Sequence, residues 1–189
     1  MRTLTAVLFA GGESRRMGTD KAMLVLKGEP LWARQIRILR ALRPEKIMIS
    51  ARNKPSWCPS DVEVVLDEPP SRGPLSGLAA ALEKIQTTHL LAFAVDLPRM
   101  TSAHLRKLWS LSQSRVGVVP QNGKFFEPLC AIYPIESIHL IKQALLNNDV
   151  SLHSFIRTLT AQEQVRFYTV AKSEKAIYQN INTPDQWTA

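Results

Sequence analysis

The chain has 189 residues, 45% of them hydrophobic and 21% charged, with 24 Lys and Arg against 16 Asp and Glu for a formal net charge of +8. That is ordinary for a globular protein of one domain with a sizeable core. It excludes a membrane-spanning helix, since no apolar run approaches ~20 residues, and a disulfide framework, since Cys58 and Cys130 stand alone, which fits a reducing cytoplasm.

Residues 4–9, "LTAVLF", are apolar and stop at Gly11-Gly12, so they predict a buried first strand. Residues 30–43 carry Leu31, Ile36, Leu39 and Leu42 at helical spacing, with Pro30 suited to a first turn. Arg34, Arg37, Arg40 and Arg43 recur every third residue there, and read as a solvated basic face. Segments 46–50 and 62–66 read as strands, 76–86 as an alanine-rich helix, and 89–95 as a strand covered on both faces. Residues 102–112 are helical with Ser102 near the cap. Strands at 116–119 and 128–133, helices at 136–148 and 152–159, and a late strand at 165–170 complete the chain.

Strands alternating with helices predict an α/β fold with a mainly parallel central sheet. In such sheets ligands bind beyond the carboxyl ends of the strands. Three loops follow strands, at 11–21, 67–77 and 96–99, and the topology directs them to one crevice.

The first loop reads "GGESRRMGTDK". Gly11 and Gly12 let backbone N–H groups approach a ligand, and successive N–H groups in a turn form an anion-binding concavity. Arg15, Arg16 and Lys21 add charge-assisted donors for phosphate oxygens. The alternative is an exposed basic turn that merely ends a strand. Neither a Gly-Lys-Ser/Thr phosphate loop nor a G-x-G-x-x-G dinucleotide turn is present. Asp96, at the end of an apolar strand, is placed to hold a divalent cation against a triphosphate or, alternatively, to cap the next helix. Asp67 ends another strand, before Gly73-Pro74-Leu75 and Gly77.

"FAGGESRRMGTDKAML" resembles the loop A-G-G-x-S-x-R-M-G-x-D-K-A-x-L of the MobA-like molybdenum cofactor nucleotidyltransferases, and most closely the guanylyl-transferring members. "VDLP" at 95–98, "LDEPPSRGPLSGL" at 66–78, "EPLCAIY" at 127–133 and "NINTPDQW" at 180–187 are similar to further segments of that family. The resemblance implies a three-layer Rossmann-like fold of the nucleotide-diphospho-sugar transferase type. It implies a single nucleotidyltransferase domain over 1–189, with a nucleotide-binding half at 1–100 and a pterin-binding half at 101–189. The implied reaction is transfer of GMP from GTP to the phosphate of molybdopterin, with release of pyrophosphate. Arg16, Lys21 and Asp96 take the catalytic roles, with Mg²⁺ on Asp96. Phe9, Ala10, Gly11, Gly12, Arg16, Lys21, Asp67, Gly73, Gly77 and Asp96 line the nucleotide, and Asn180 and Asn182 reach the pterin. Asn182 or Thr183 before Pro184 equally suits a helix cap.

The chain departs from the family at Ser50, where asparagine is common, at 94–95, where Ala-Val replaces a cysteine-containing pair, at Glu127, where Gln or His is common, and at 147–149, where Asn-Asn-Asp replaces basic residues. The implied partners are proteins that deliver molybdopterin and proteins that mature molybdoenzymes, around a monomer or weak oligomer. Competing readings are a molybdopterin cytidylyltransferase, another small-molecule nucleotidyltransferase, an inactive adaptor and a basic nucleic-acid-binding module. The last is disfavoured because the basic cluster sits in a glycine turn and Trp32, Trp57, Trp109 and Trp187 are scattered. His89, His104, His139 and His153 have no metal-ligand spacing and read as solvated or locally hydrogen-bonded.

Overall fold

The computed structural model describes residues 1–11, 20–66 and 73–181. The strands are β1 Leu4–Phe9, β2 Val25–Leu26, β3 Glu29–Pro30, β4 Lys46–Ala51, β5 Glu63–Leu66, β6 His89–Ala94, β7 Gly117–Asn122, β8 Phe125–Phe126, β9 Cys130–Pro134 and β10 Val165–Thr169. The helices are α1 Leu31–Arg40, α2 Pro74–Lys84, α3 Ser102–Leu111, α4 Ser137–Leu146 and α5 Leu152–Ala161, and 3₁₀ turns occupy Lys21–Met23 and Lys172–Tyr178.

The main sheet runs β10-β7-β9-β6-β1-β4-β5, with β8 paired to β7. β1 pairs in parallel with both β4 and β6, β4 with β5, and β10 with β7. β9 runs antiparallel to β6 and β7. The mainly parallel sheet expected from the alternating pattern is therefore present, with one reversed strand among the seven of the path. The carboxyl ends of β1, β4, β5 and β6 lie along one edge, where Phe9 faces Ser50 and Ala94 in register. The reversal of β9 brings its amino end, Cys130, to that same edge opposite Phe93.

Strand alternation explains the three layers. Leu4, Ala6 and Leu8 of β1 join one core cluster with α1 and α3, whereas Val7 and Phe9 join a second with α2, α4 and α5. The central strands are consequently apolar throughout, as buried parallel strands must be. β7 and β9 approach so closely that a Cβ on Gly117 would lie 2.0 Å from the Ile132 carbonyl oxygen.

Local chemistry shifts several expected boundaries. α2 starts at Pro74 because Pro fits the first helical position, and Gly73 before it takes φ 79, a left-handed conformation that favours glycine. Thr101, not Ser102, caps α3 by accepting the His104 N–H at 3.2 Å. Pro30 precedes α1 instead of opening its first turn. β9 starts at Cys130 because the Cys130 N–H turns back onto Glu127 O at 3.0 Å. The β2–β3 hairpin escapes a periodicity reading: its strands are two residues long, and Lys27 and Gly28 both take positive φ, as a tight hairpin turn requires. The arginine face of α1 is largely occupied. Arg37 makes a two-pronged pair with Glu29, Arg40 another with Asp61, and Arg34 donates to Pro98 O.

A polar network anchors the segment after β10. His104 Nε2 meets the Tyr178 hydroxyl at 2.6 Å, Lys107 Nζ bonds Tyr168 Oη at 2.6 Å and Glu174 Oε1 at 2.9 Å, and the Tyr168 hydroxyl also donates to Glu174. The hydrogen bonds from Tyr168 and then Lys107 draw the Glu174 carboxyl down to about 2. His89 is likewise buried, between the Thr88 hydroxyl and Gln113 O. Burial pushes both imidazoles below their ordinary range.

Two predictions follow from these contacts. Gly117→Ala should destabilise the protein by about 3 kcal/mol, because the methyl meets backbone that cannot rotate away; urea unfolding of the variant checks it. The unfolded chain takes up protons on His89 and His104 below about pH 6.5 while the folded chain resists. Stability should therefore be full above that pH and fall as the pH drops toward the depressed folded values. Urea midpoints across the range will show this slope, and it should shrink in His104→Gln.

Candidate active site

The edge where β1, β4 and β6 end is held by backbone bonds that continue past the strands. Ala10 N–H donates to Ser50 O at 3.0 Å, and Val95 N–H donates to Phe9 O at 3.1 Å. Parallel pairing thus carries Ala10, Gly11 and Asp96 side by side to the rim. Phe9 is buried in the core, and the Ala10 N–H is committed to β4. Gly11 is exposed, and its Cβ direction points at Ala51 Cα 3.4 Å away.

α2 follows β5 and so begins at the same rim. At Gly77 a Cβ would lie 2.7 Å from Ser50 Oγ and 3.2 Å from the Phe9 ring. Glycine there lets the first turns of α2 settle directly onto β1 and β4. Ser50 is the small residue against which Gly77 packs.

Lys21 stands on a short 3₁₀ turn fastened at both ends. Asp20 caps the turn by accepting Ala22 N–H at 2.9 Å, and its other oxygen accepts Trp57 Nε1–H at 3.0 Å. Trp57 stacks on Trp32 with centroids 5.4 Å apart, and Ala22 is fully buried. The two tryptophans, scattered in sequence, form a bracket for the turn. So anchored, Lys21 points its ammonium at Asp96, with Nζ 3.5 Å from Oδ2 and both side chains about a quarter exposed. An ion pair at this separation and exposure contributes little to stability. Its interest is that a cation and a carboxylate meet at the end of a core strand.

Asp96 does not cap the following helix, since Thr101 does. Among the described residues no group of three or more His, Cys, Asp or Glu converges on a metal site. Asp96 could offer its carboxylate to a cation, with phosphate oxygens and water as further donors. That hard-oxygen donor set suits a Mg²⁺-type ion.

The other half of the chain reaches the same rim twice. Ile181 N–H donates to Asp96 O at 3.1 Å, and Arg99 donates to Gln179 Oε1 at 2.9 Å, so Asn180 is exposed beside the Asp96 loop. Glu127 lies just before β9, its Oε1 3.5 Å from Asn122 Nδ2. Burial raises its carboxyl above the ordinary range, the Asn122 hydrogen bond opposes this, and the Asp96 charge adds to the rise.

The structure thus gathers Phe9, Ala10, Gly11, Lys21, Gly73, Gly77, Asp96 and Asn180 on one edge. Gly12, Arg15, Arg16, Asp67 and Asn182 lie outside the described residues. The sequence reading gives no site role to Asp20, to Trp57, or to Gln35, whose side-chain amide donates to Val95 O and Leu97 O. The available signal for Gln35 was a polar side chain four residues from both Leu31 and Leu39, on the apolar face of a helix.

Residues 6–165 match the MobA-like NTP transferase domain family. A probable molybdenum cofactor guanylyltransferase of Opitutus terrae is 35% identical over 185 residues, covering 96% of this chain and 92% of that protein. The fold is shared with molybdopterin-guanine dinucleotide biosynthesis protein A of Archaeoglobus fulgidus, at TM-score 0.71 and 22% identity over 97% and 95% of the two chains. It is also shared with a Mycobacterium tuberculosis protein crystallised in complex with manganese, at TM-score 0.63 and 16% identity over 89% and 88%. With a matching domain over most of its length and a near-full-length relative at this identity, the chain belongs to the MobA-like NTP transferase family.

Proposed function

We propose that this protein transfers a guanylyl group from GTP to the terminal phosphate of molybdopterin, giving molybdopterin guanine dinucleotide and pyrophosphate. The observation that carries the reading is the Lys21–Asp96 pair at the carboxyl edge of β1 and β6, in a chain of this family. A pterin phosphate oxygen attacks the α-phosphorus of GTP. A new P–O bond forms, and the bond from that phosphorus to the β-bridging oxygen breaks as pyrophosphate departs with the electron pair. The attacking phosphate is already ionised at neutral pH, so no general base is required. The protein's share is alignment and charge stabilisation.

Lys21 is assigned to the phosphate oxygens, where its charge meets the negative charge that grows on the leaving group. Asp96 is assigned as the anchor for Mg²⁺, which when bound neutralises phosphate charge. The exposed Gly11, with Gly12 and Arg16 from the adjoining loop, is assigned to the triphosphate. Asp67, Gly73 and Gly77 are assigned to the nucleoside, with Phe9 and Ala10 beneath it as the floor. Asn180 and Asn182 are assigned to the pterin side, which Glu127 also borders. Residues 1–100 then form the nucleotide half and 101–189 the acceptor half. Cytoplasmic delivery and maturation proteins for the cofactor are the partners this chemistry calls for.

Removing a donor to a developing charge costs about 2.7–4 kcal/mol. Lys21→Ala should therefore lower turnover by roughly two to three decades, with the circular dichroism of the parent retained. Near-parental turnover would overturn the role of Lys21. For the reaction itself, the protein is incubated with Mg²⁺, a molybdopterin-bearing protein and either GTP or CTP. Pyrophosphate and a guanine dinucleotide should appear with GTP. A preference for CTP in competition would replace guanylyl by cytidylyl transfer.

A further inference from the structure

The loop that carries Asp96 has four consecutive carbonyls fastened from outside. Gln35 of α1, fully buried, donates one amide hydrogen to Val95 O at 3.1 Å and the other to Leu97 O at 2.9 Å. These are the carbonyls immediately before and after Asp96. Ile181 N–H holds Asp96 O at 3.1 Å, and Arg34 Nε holds Pro98 O at 2.9 Å. Gln35 Oε1, also buried, has no donor among the described residues.

That orphaned oxygen is informative. A buried acceptor without a partner opposes folding, and an apolar side chain of the same length would fill the space without it. Packing therefore does not account for an amide at this position, whereas its two donor hydrogens do. They fix the peptide that enters Asp96 and the one that follows Leu97, and so bracket the Asp96 backbone from its two neighbouring residues. Ile181 holds the peptide that leaves Asp96 and Arg34 holds Pro98 O, whereas the one Gln35 amide spans the residues on both sides of Asp96.

We propose that Gln35 is a positioning residue for Asp96, pre-setting the carboxylate for the divalent cation. The ordering of the ligand loop is then completed during folding instead of being charged to metal binding. The proposal rests on the reading of Asp96 as the cation's anchor.

The test uses the full chain and Mn²⁺, with free Mn²⁺ followed by its paramagnetic resonance signal in the presence of GTP. Gln35→Met keeps the length and removes the donors. Gln35→Glu keeps the shape and sets an acceptor against two carbonyls. Outer partners of metal ligands typically contribute 10- to 100-fold in affinity, so each variant should weaken Mn²⁺ binding by roughly tenfold or more. GTP affinity measured in chelator, without metal, should stay within about threefold of the parent, as should Mn²⁺ affinity in Arg34→Met, both below that 10-fold floor. Unchanged Mn²⁺ affinity in Gln35→Met overturns the proposal. So does a loss matched by an equal loss of metal-free GTP binding, or failure of both variants to fold, since either assigns Gln35 a structural role alone. Asp96→Asn separates the two readings. If it binds Mn²⁺ like the parent, the metal role of Asp96 falls and the proposal with it. If it loses Mn²⁺ while the Gln35 variants keep it, only the proposal falls.

Discussion

Parallel pairing of β1 with β4 on one side and β6 on the other governs everything at the rim. Three chain segments far apart in sequence end at one level because their registers are locked, Phe9 against Ser50 and against Ala94. The bonds from Ala10 to Ser50 and from Val95 to Phe9 extend that lock past the strands. A one-residue slip of β6 would exchange its two core faces, moving Phe93 and Ala92 into the wrong layers and Asp96 away from Lys21. The hydrophobic core and the position of the carboxylate are therefore one constraint seen from two sides.

The excess positive charge is less concentrated than its total suggests. Much of the α1 arginine face is spent on Glu29, Asp61 and the Pro98 carbonyl. At the rim, Lys21 is countered by Asp96, while Glu127 from the opposite half adds a second carboxyl that burial and the Asp96 charge both make harder to ionise. Positive and negative groups thus meet at the rim in near balance, with Lys21 facing Asp96 and Glu127 close enough to feel the Asp96 charge.

The strands around β1 were legible in sequence because a buried parallel strand is an unbroken apolar run ended by glycine or a carboxylate. Lys21, Asp96, Gly73 and Gly77 were legible because they follow those ends. The supports behind them were not. Trp32 and Trp57 look unrelated until the fold stacks them beneath Asp20. Ile181 contributes only a backbone N–H, which no side-chain motif encodes. Glu127 reaches the rim because β9 reverses direction, and strand direction is a property of the whole sheet.

Ile181 also ties the site to the far end of the described chain. Its bond to Asp96 O joins the last described residue to a loop in the middle of the chain, across the stretch that holds β7, β9 and β10. The entropy of closing such a stretch grows only slowly with its length, and the intervening strands hold the two ends of this bond together. Cutting the chain before Ile181 would leave the β1–β4–β6 register untouched and release the Asp96 carbonyl. The carboxylate loop is thus tied to the far end of the described chain and not to its first hundred residues alone.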